Sequence, residues 1–176
     1  ENELRCCASE HLTRPVCNQV KYNLIDRGIE RGLVKACKAG EVAVTVFAPT
    51  AIGLLAGLYQ YGKPPPAGTP WHQGPYNFRA AMTPRVRDVI QTLLDLSGET
   101  GHSPSQLAVA WRLHHEVDSV IIGADTPEHA REDMAAGAIM MSEEILERLD
   151  DVSEGLRTSI RKDSPGGYER GSEHPS

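Results

Sequence analysis

Apolar positions along the chain change period several times, and each change marks a predicted element. Residues 4–12 carry Leu4, Ala8 and Leu12 at four-residue steps with Pro15 beyond, which reads as the end of a helix. The run 16–22 is rich in β-branched and aromatic residues, apolar at Val16, Val20 and Tyr22, and reads as a strand. Ile29, Leu33, Ala36 and Cys37 then share one helical face, with Gly40 placed to close that helix in the left-handed conformation. Residues 42–47 are apolar on both parities, the pattern of a parallel strand covered on both faces. From Gly53 to Pro84 the chain is rich in Gly and Pro, including Pro64-Pro65-Pro66. A compact domain keeps so long a stretch for a reason, and it reads as a lid or binding loop. Val86, Ile90, Leu93 and Leu94 form a second amphipathic helix, stopped by Gly98 and Gly101. Ser103-Pro104-Ser105-Gln106 has the cap, the proline and the N3 Gln of a capping box, opening a helix through Leu107, Ala110, Trp111 and His114. Residues 117–122 are a third strand, Gly123-Ala124-Asp125 turn out of it, and Thr126-Pro127 start the next helix. Ser142 caps a last helix with Ile145, Leu146, Leu149 and Val152 on its apolar side. Over 161–176 Gly, Ser, Pro and charge prevail, and a disordered tail is expected.

The order is a helix end and then three strand–helix units, each crossover long enough to join parallel neighbours. The class is therefore α/β with a parallel sheet, and 176 residues hold one domain or a large piece of one. With 40% hydrophobic and 24% charged residues the chain can build a globular core. Its net charge of −6 and a longest basic run of Arg161-Lys162 leave no footprint for nucleic acid. Apolar runs such as 51–58 fall far short of the ~20 residues that span a bilayer, so no membrane association is expected. The opening Glu1-Asn2-Glu3 lacks an initiator Met and any export signal; the chain reads as beginning in mid-protein, with the cytoplasm as its expected location. Cys6, Cys7, Cys17 and Cys37 crowd into the first quarter without the spacing of a disulfide framework, and a reduced state follows. His11 alone beside Cys6-Cys7 is too few ligands for a metal.

The segment 15–27, Pro-Val-Cys-Asn-Gln-Val-Lys-Tyr-Asn-Leu-Ile-Asp-Arg, resembles the sixth-strand region of the aldo-keto reductase family. Further blocks stand in that family's order: Val46-Phe47-Ala48-Pro49, Gly53-Leu54-Leu55-Ala56-Gly57-Leu58-Tyr59, the stretch 103–111, and the turn 121–129. The resemblance implies a partial (β/α)8 TIM barrel over residues 1–160, containing strands six to eight and the final helices. It implies an oxidoreductase that reduces aldehydes and ketones with NADPH or NADH. The family's catalytic Asp, Tyr, Lys and His belong to the absent first five strands, so no catalytic residue maps here and the isolated chain is expected to be inactive. Three parallel strands leave two bare edges and an open inner face. Truncation is the simplest origin; a complementary N-terminal half on another polypeptide, or self-association, would also cover them. A non-catalytic nucleotide-binding or interaction module, such as a subunit of a split enzyme, is the alternative.

Residue by residue, Gln19 matches the amide that binds the nicotinamide carboxamide, unless it is simply buried within the barrel. Phe47 matches the aromatic that stacks on the nicotinamide ring, where an isolated strand-end Phe would otherwise be core. Ala48 stands where the family usually has Ser on the pyrophosphate, and Thr50 stands where it usually has Leu. Gly123, Ala124, Asp125 and Thr126 form the turn into a helix N-terminus suited to the adenosine phosphate. Where NADP-preferring members carry a cation, Gln and Asn, this chain has Asp125, His129 and Asp133; Glu132 matches the acidic residue at the adenine. Carboxylates there oppose a 2′-phosphate, which points to a shift toward NADH, with Arg131 the one nearby cation. The loop aromatics Tyr59, Tyr61, Trp71, Tyr76 and Phe78 either line the pocket of a small carbonyl substrate, Trp71 and Tyr59 first among them, or fold onto the loop's own helices. His114, His115 and the acidic 143–151 segment read as helix-end electrostatics and a solvated face.

Overall fold

The computed structural model describes residues 2–158; the tail expected from residue 161 lies outside them. In chain order the elements are α1 (Asn2–Ser9), β1 (Cys17–Lys21), a 3-10 turn (Gly28–Arg31), α2 (Leu33–Ala39), β2 (Ala43–Phe47) and a second 3-10 turn (Leu54–Ala56). Then follow α3 (Pro70–Gln73), α4 (Phe78–Ala81), α5 (Pro84–Thr100), α6 (Pro104–Leu113), β3 (Ser119–Ile121), α7 (Pro127–Ala135), a 3-10 turn (Ala136–Ala138) and α8 (Glu143–Ser153). The described strands form one parallel sheet in the order β1-β2-β3.

Local chemistry sets most of the boundaries. Ser103 accepts from the Gln106 N–H while the Gln106 amide oxygen accepts from the Ser103 N–H at 3.0 Å, so the capping box is complete. Thr83, Thr126 and Ser142 cap α5, α7 and α8 by the same side-chain acceptance. Gly101 closes α5 at φ 74° and gives its N–H to the Ser97 carbonyl at 2.9 Å. Gly98, expected to share that stop, instead lies inside α5 on its exposed side.

Gly40 also departs from expectation. Its φ is −94°, and the left-handed residue is Glu41 at φ 52°. The reason is the return path: the Val42 N–H bonds the Cys37 carbonyl at 2.9 Å as the chain turns into β2, which places the αL residue one position later. The helix expected through Ile29 to Cys37 is likewise split into a 3-10 turn and α2 at Gly32.

Val44 and Val46 of β2 are buried, and Val20 and Val120 pack beside them against the helices. Leu93, Leu96, Leu107, Trp111 and Leu149 of α5, α6 and α8 have no exposed surface, so the core lies between sheet and helices. The opposite sheet face carries Gln19, Phe47, Ser119 and Ile121, all exposed. Arg27 ties the β1 end to α8, donating to the Asp150 carbonyl at 3.0 Å and to the Ser153 hydroxyl at 2.9 Å. Among the described residues no helix is long and apolar enough to cross a membrane.

Candidate functional site

The C-terminal edge of the sheet gathers most of the sequence-predicted residues. In register, Gln19 pairs with Thr45, which pairs with Ser119, and Lys21 pairs with Phe47, which pairs with Ile121. Residues paired in this way point to the same face. Gln19 and Phe47 therefore stand on adjacent strands of the open face, one row apart, and the 122–126 turn leaves β3 beside Phe47. Lys21 shares the Phe47 row and bonds Asp26 at 2.7 Å.

Beyond Phe47 the backbone is strained. Ala48, Ala51 and Ile52 have φ of 53°, 53° and 60°, followed by Gly53 at 76°. Residues with a Cβ seldom adopt this region, and a cluster of them persists only where surrounding bonds impose it. Here the Ala48 carbonyl accepts from the Asn23 side chain and the Ala51 N–H, both at 3.0 Å, and the Thr50 hydroxyl accepts from the Gly53 N–H at 3.3 Å. Asn23 is fully buried and also accepts from the Ile25 N–H at 3.2 Å. It is a positioning residue that residue-by-residue comparison passed over, although it stands in the Tyr22-Asn23-Leu24 stretch that carried the resemblance.

At the β3–α7 turn, Gly123, Ala124, Asp125 and Thr126 are exposed, and the Thr126 hydroxyl accepts from the His129 N–H at 3.1 Å. Arg131 is bound to Glu128 at 3.1 Å, so the nearby cation is already paired. Glu132 accepts from the Ser103 hydroxyl, and Asp133 accepts from the Ser105 hydroxyl at 3.1 Å. Both acids thus face the start of α6, and burial holds the Asp133 carboxyl above its usual range.

Of the two places open to Trp71 and Tyr59, the structure shows the one in which the loop folds onto its own helices. Trp71 has no exposed surface; its indole donates to the Ile52 carbonyl at 3.0 Å, and its ring lies 6.0 Å from Phe78. Tyr59 is buried 5.7 Å from the same Phe78, and burial raises its phenol. The loop has folded around its own aromatic centre, with α3 and α4 inside it, because three rings gain more by packing together than by facing water. The two residues support a pocket wall rather than present a surface.

Behind the sheet, the Tyr22 hydroxyl donates to Glu30 at 2.5 Å, and burial with that carboxylate pushes the phenol upward. Asp150 accepts from the Trp111 indole at 3.1 Å and meets Arg27 at 3.0 Å and His115 at 3.2 Å. This network stands on the helix side, away from the open face.

The sequence model of the Aldo/keto reductase family matches residues 3–154. The chain belongs to this family. It is 31% identical over 141 residues to the uncharacterized oxidoreductase YrpG of Bacillus subtilis, covering 80% of this chain and 41% of that protein. It is 30% identical over 142 residues to the NADH-specific methylglyoxal reductase of Escherichia coli, covering 78% and 42%. A Schizosaccharomyces pombe protein, provisionally described as a voltage-gated potassium channel subunit beta, is 28% identical over 148 residues, covering 81% and 43%. This aldo/keto reductase chain therefore spans less than half the length of these relatives.

The residues present fit a nicotinamide dinucleotide on chemical grounds. An amide and a flat aromatic ring share an open strand-end face, and a capped helix start with exposed small residues lies beside them.

Proposed function

We propose that this chain supplies one side of the cofactor site of an aldo/keto reductase that reduces a small aldehyde or ketone to an alcohol. The observation that carries the reading is the Gln19 and Phe47 juxtaposition on the open face, next to the β3–α7 turn. When bound, the nicotinamide supplies the hydride for the carbonyl carbon. Gln19 would hold its carboxamide, and Phe47 would cover one face of its ring. Ala48, Thr50 and the strained backbone around them would lie along the pyrophosphate, and the N–H groups of Gly123, Ala124 and Thr126 would meet the adenosine end. His129, Glu132 and Asp133 would flank the adenosine.

NADH is the expected partner rather than NADPH. Arg131 pairs with Glu128 at the surface, while Asp125 stands exposed in the turn and can hold a ribose hydroxyl. A 2′-phosphate would meet carboxylates without a free cation. The three strands are read as an arc of an eight-stranded barrel, and the proton donor as residing in polypeptide outside this sequence. The cytoplasm remains the proposed location.

Titrating the chain with NADH and with NADPH tests the cofactor reading. NADH should bind at least about tenfold more tightly, the equivalent of ~1.4 kcal/mol; a preference for NADPH would refute it. A second reading is a nucleotide-binding module that contributes no turnover; one relative is named as a channel subunit and not as a reductase. Reduction of an aldehyde by the complemented enzyme would decide against that alternative.

A further inference from the structure

We infer that a cavity between residues 61–64 and 78–82 of the long loop binds the anionic end of the substrate and selects a carbonyl compound with an apolar body and a carboxylate. The substrate identity rests on the reductase reading above; the anion recognition does not. The cavity encloses about 300 Å³ and is lined by Tyr61, Lys63, Pro64, Phe78, Arg79 and Met82 among others. That volume is at the lower limit for ligand sites and suits a single ring with one acidic substituent.

Its floor is apolar and held in place. Phe78 and Met82 are nearly fully buried, and Tyr59 and Trp71 lock the Phe78 ring from behind. Its rim is cationic and unsatisfied. The side chains of Lys63 and Arg79 make no ion pair or hydrogen bond among the described residues. Several cations elsewhere are matched: Lys21 with Asp26, Arg27 with Glu30, Lys38 with Glu116, Arg148 with Glu99.

The sequence explains why these two are not. No Asp or Glu stands between Glu41 and Asp88, although the chain as a whole carries −6, and that acid-free run holds Lys63, Arg79, Arg85 and Arg87. Two of the four have structural partners. Arg85 donates to the Glu154 carbonyl at 2.7 Å, and Arg87 binds Asp88 at 2.6 Å with its guanidinium 5.4 Å from the Tyr61 ring centre. The two left over are those on the cavity. An acid-free lining with free cations above an aromatic floor matches a carboxylate attached to a flat apolar group.

Calorimetric titration with benzoate, 4-carboxybenzaldehyde and benzaldehyde at low salt tests the inference. Both carboxylates should bind at least about tenfold more tightly than benzaldehyde, and the preference should fall with added salt because the rim is exposed. Lys63→Gln with Arg79→Gln should abolish that preference, Arg79→Lys should retain most of it, and circular dichroism confirms that each variant is folded. Equal binding of benzaldehyde, or a preference that survives the double replacement, would overturn the inference. Benzoate binding without 4-carboxybenzaldehyde binding would overturn its substrate part. Benzoate has no reducible carbonyl, so it reads the cavity alone. Failure of NADH binding, measured separately, would strike the reductase reading and leave the cavity result standing.

Discussion

Replacing Arg112 by Met should stabilise the protein. Arg112 has no exposed surface, and its Nε, Nη1 and Nη2 atoms have no hydrogen-bond partner among the described residues. Its compensation comes from two aromatic faces, with the guanidinium carbon 4.4 Å from the Tyr22 ring centre and 5.0 Å from that of Trp111. Burial is the main cause that drives the guanidinium down to about 9. Leaving a buried charge without hydrogen-bond partners costs about 3–5 kcal/mol. The two faces together return ~2 kcal/mol or somewhat more when desolvated. Methionine keeps an unbranched stem in the slot and brings no charge, so a net gain of ~1–3 kcal/mol is expected. For a domain of this size that raises Tm by ~2–4 °C per kcal/mol.

The pH dependence has a definite sign. The folded chain holds this proton less tightly than the unfolded chain, so the penalty is complete at neutral pH and shrinks as pH rises past about 9. The variant's advantage in thermal and denaturant unfolding should therefore be largest near pH 7 and narrow at more alkaline pH. Destabilisation by more than ~1 kcal/mol at pH 7 would refute the reasoning, because it would mean the guanidinium is satisfied in place.

Three further outcomes are expected. Ser103→Ala removes both the α6 capping box and the bond to Glu132, and should cost ~1–2 kcal/mol in denaturant unfolding. Asp133→Asn should stabilise at neutral pH: burial raises the folded carboxyl above its unfolded value, so the charge penalty is present once pH exceeds the folded value and disappears as pH falls below the unfolded one. The difference between Asn and Asp in urea midpoints should accordingly close in acid. Ala48→Gly relieves a left-handed Cβ and should raise stability by ~0.5–1 kcal/mol in thermal melts.

What could be read ahead of the structure was whatever is decided locally. Ser103, Thr126 and Ser142 cap their helices as expected, because a short polar side chain next to its own N3 amide needs no distant partner. The three strands were legible because each alternates with a helix-period segment, though β3 is only Ser119–Ile121. Gly40 misled because the turn is set by the Val42 return bond, a contact that the residue type does not encode. α3 and α4, four residues each, are too short to show a period. For Trp71 and Tyr59 the sequence leaves a pocket wall and a self-packed loop equally open, and only the packing around Phe78 shows that they face inward. Arg112 drew no notice because residues 107–112 of α6 are all buried, and a charged residue on a helix is ordinarily read as solvated. The Lys63 and Arg79 pair had a sequence signal, the acid-free run from residue 42 to 87, but its meaning depends on which cations the fold leaves unpartnered.

The most direct test of the dinucleotide assignment is NADH binding followed residue by residue in the NMR spectrum of the isotope-labelled chain, with aldehyde turnover assayed in the same sample. The expected result is saturable binding that perturbs Gln19, Phe47 and the Gly123 to Thr126 amides together, without turnover. Binding that spares these residues, or aldehyde reduction at ordinary enzymatic rates by this chain alone, would contradict it.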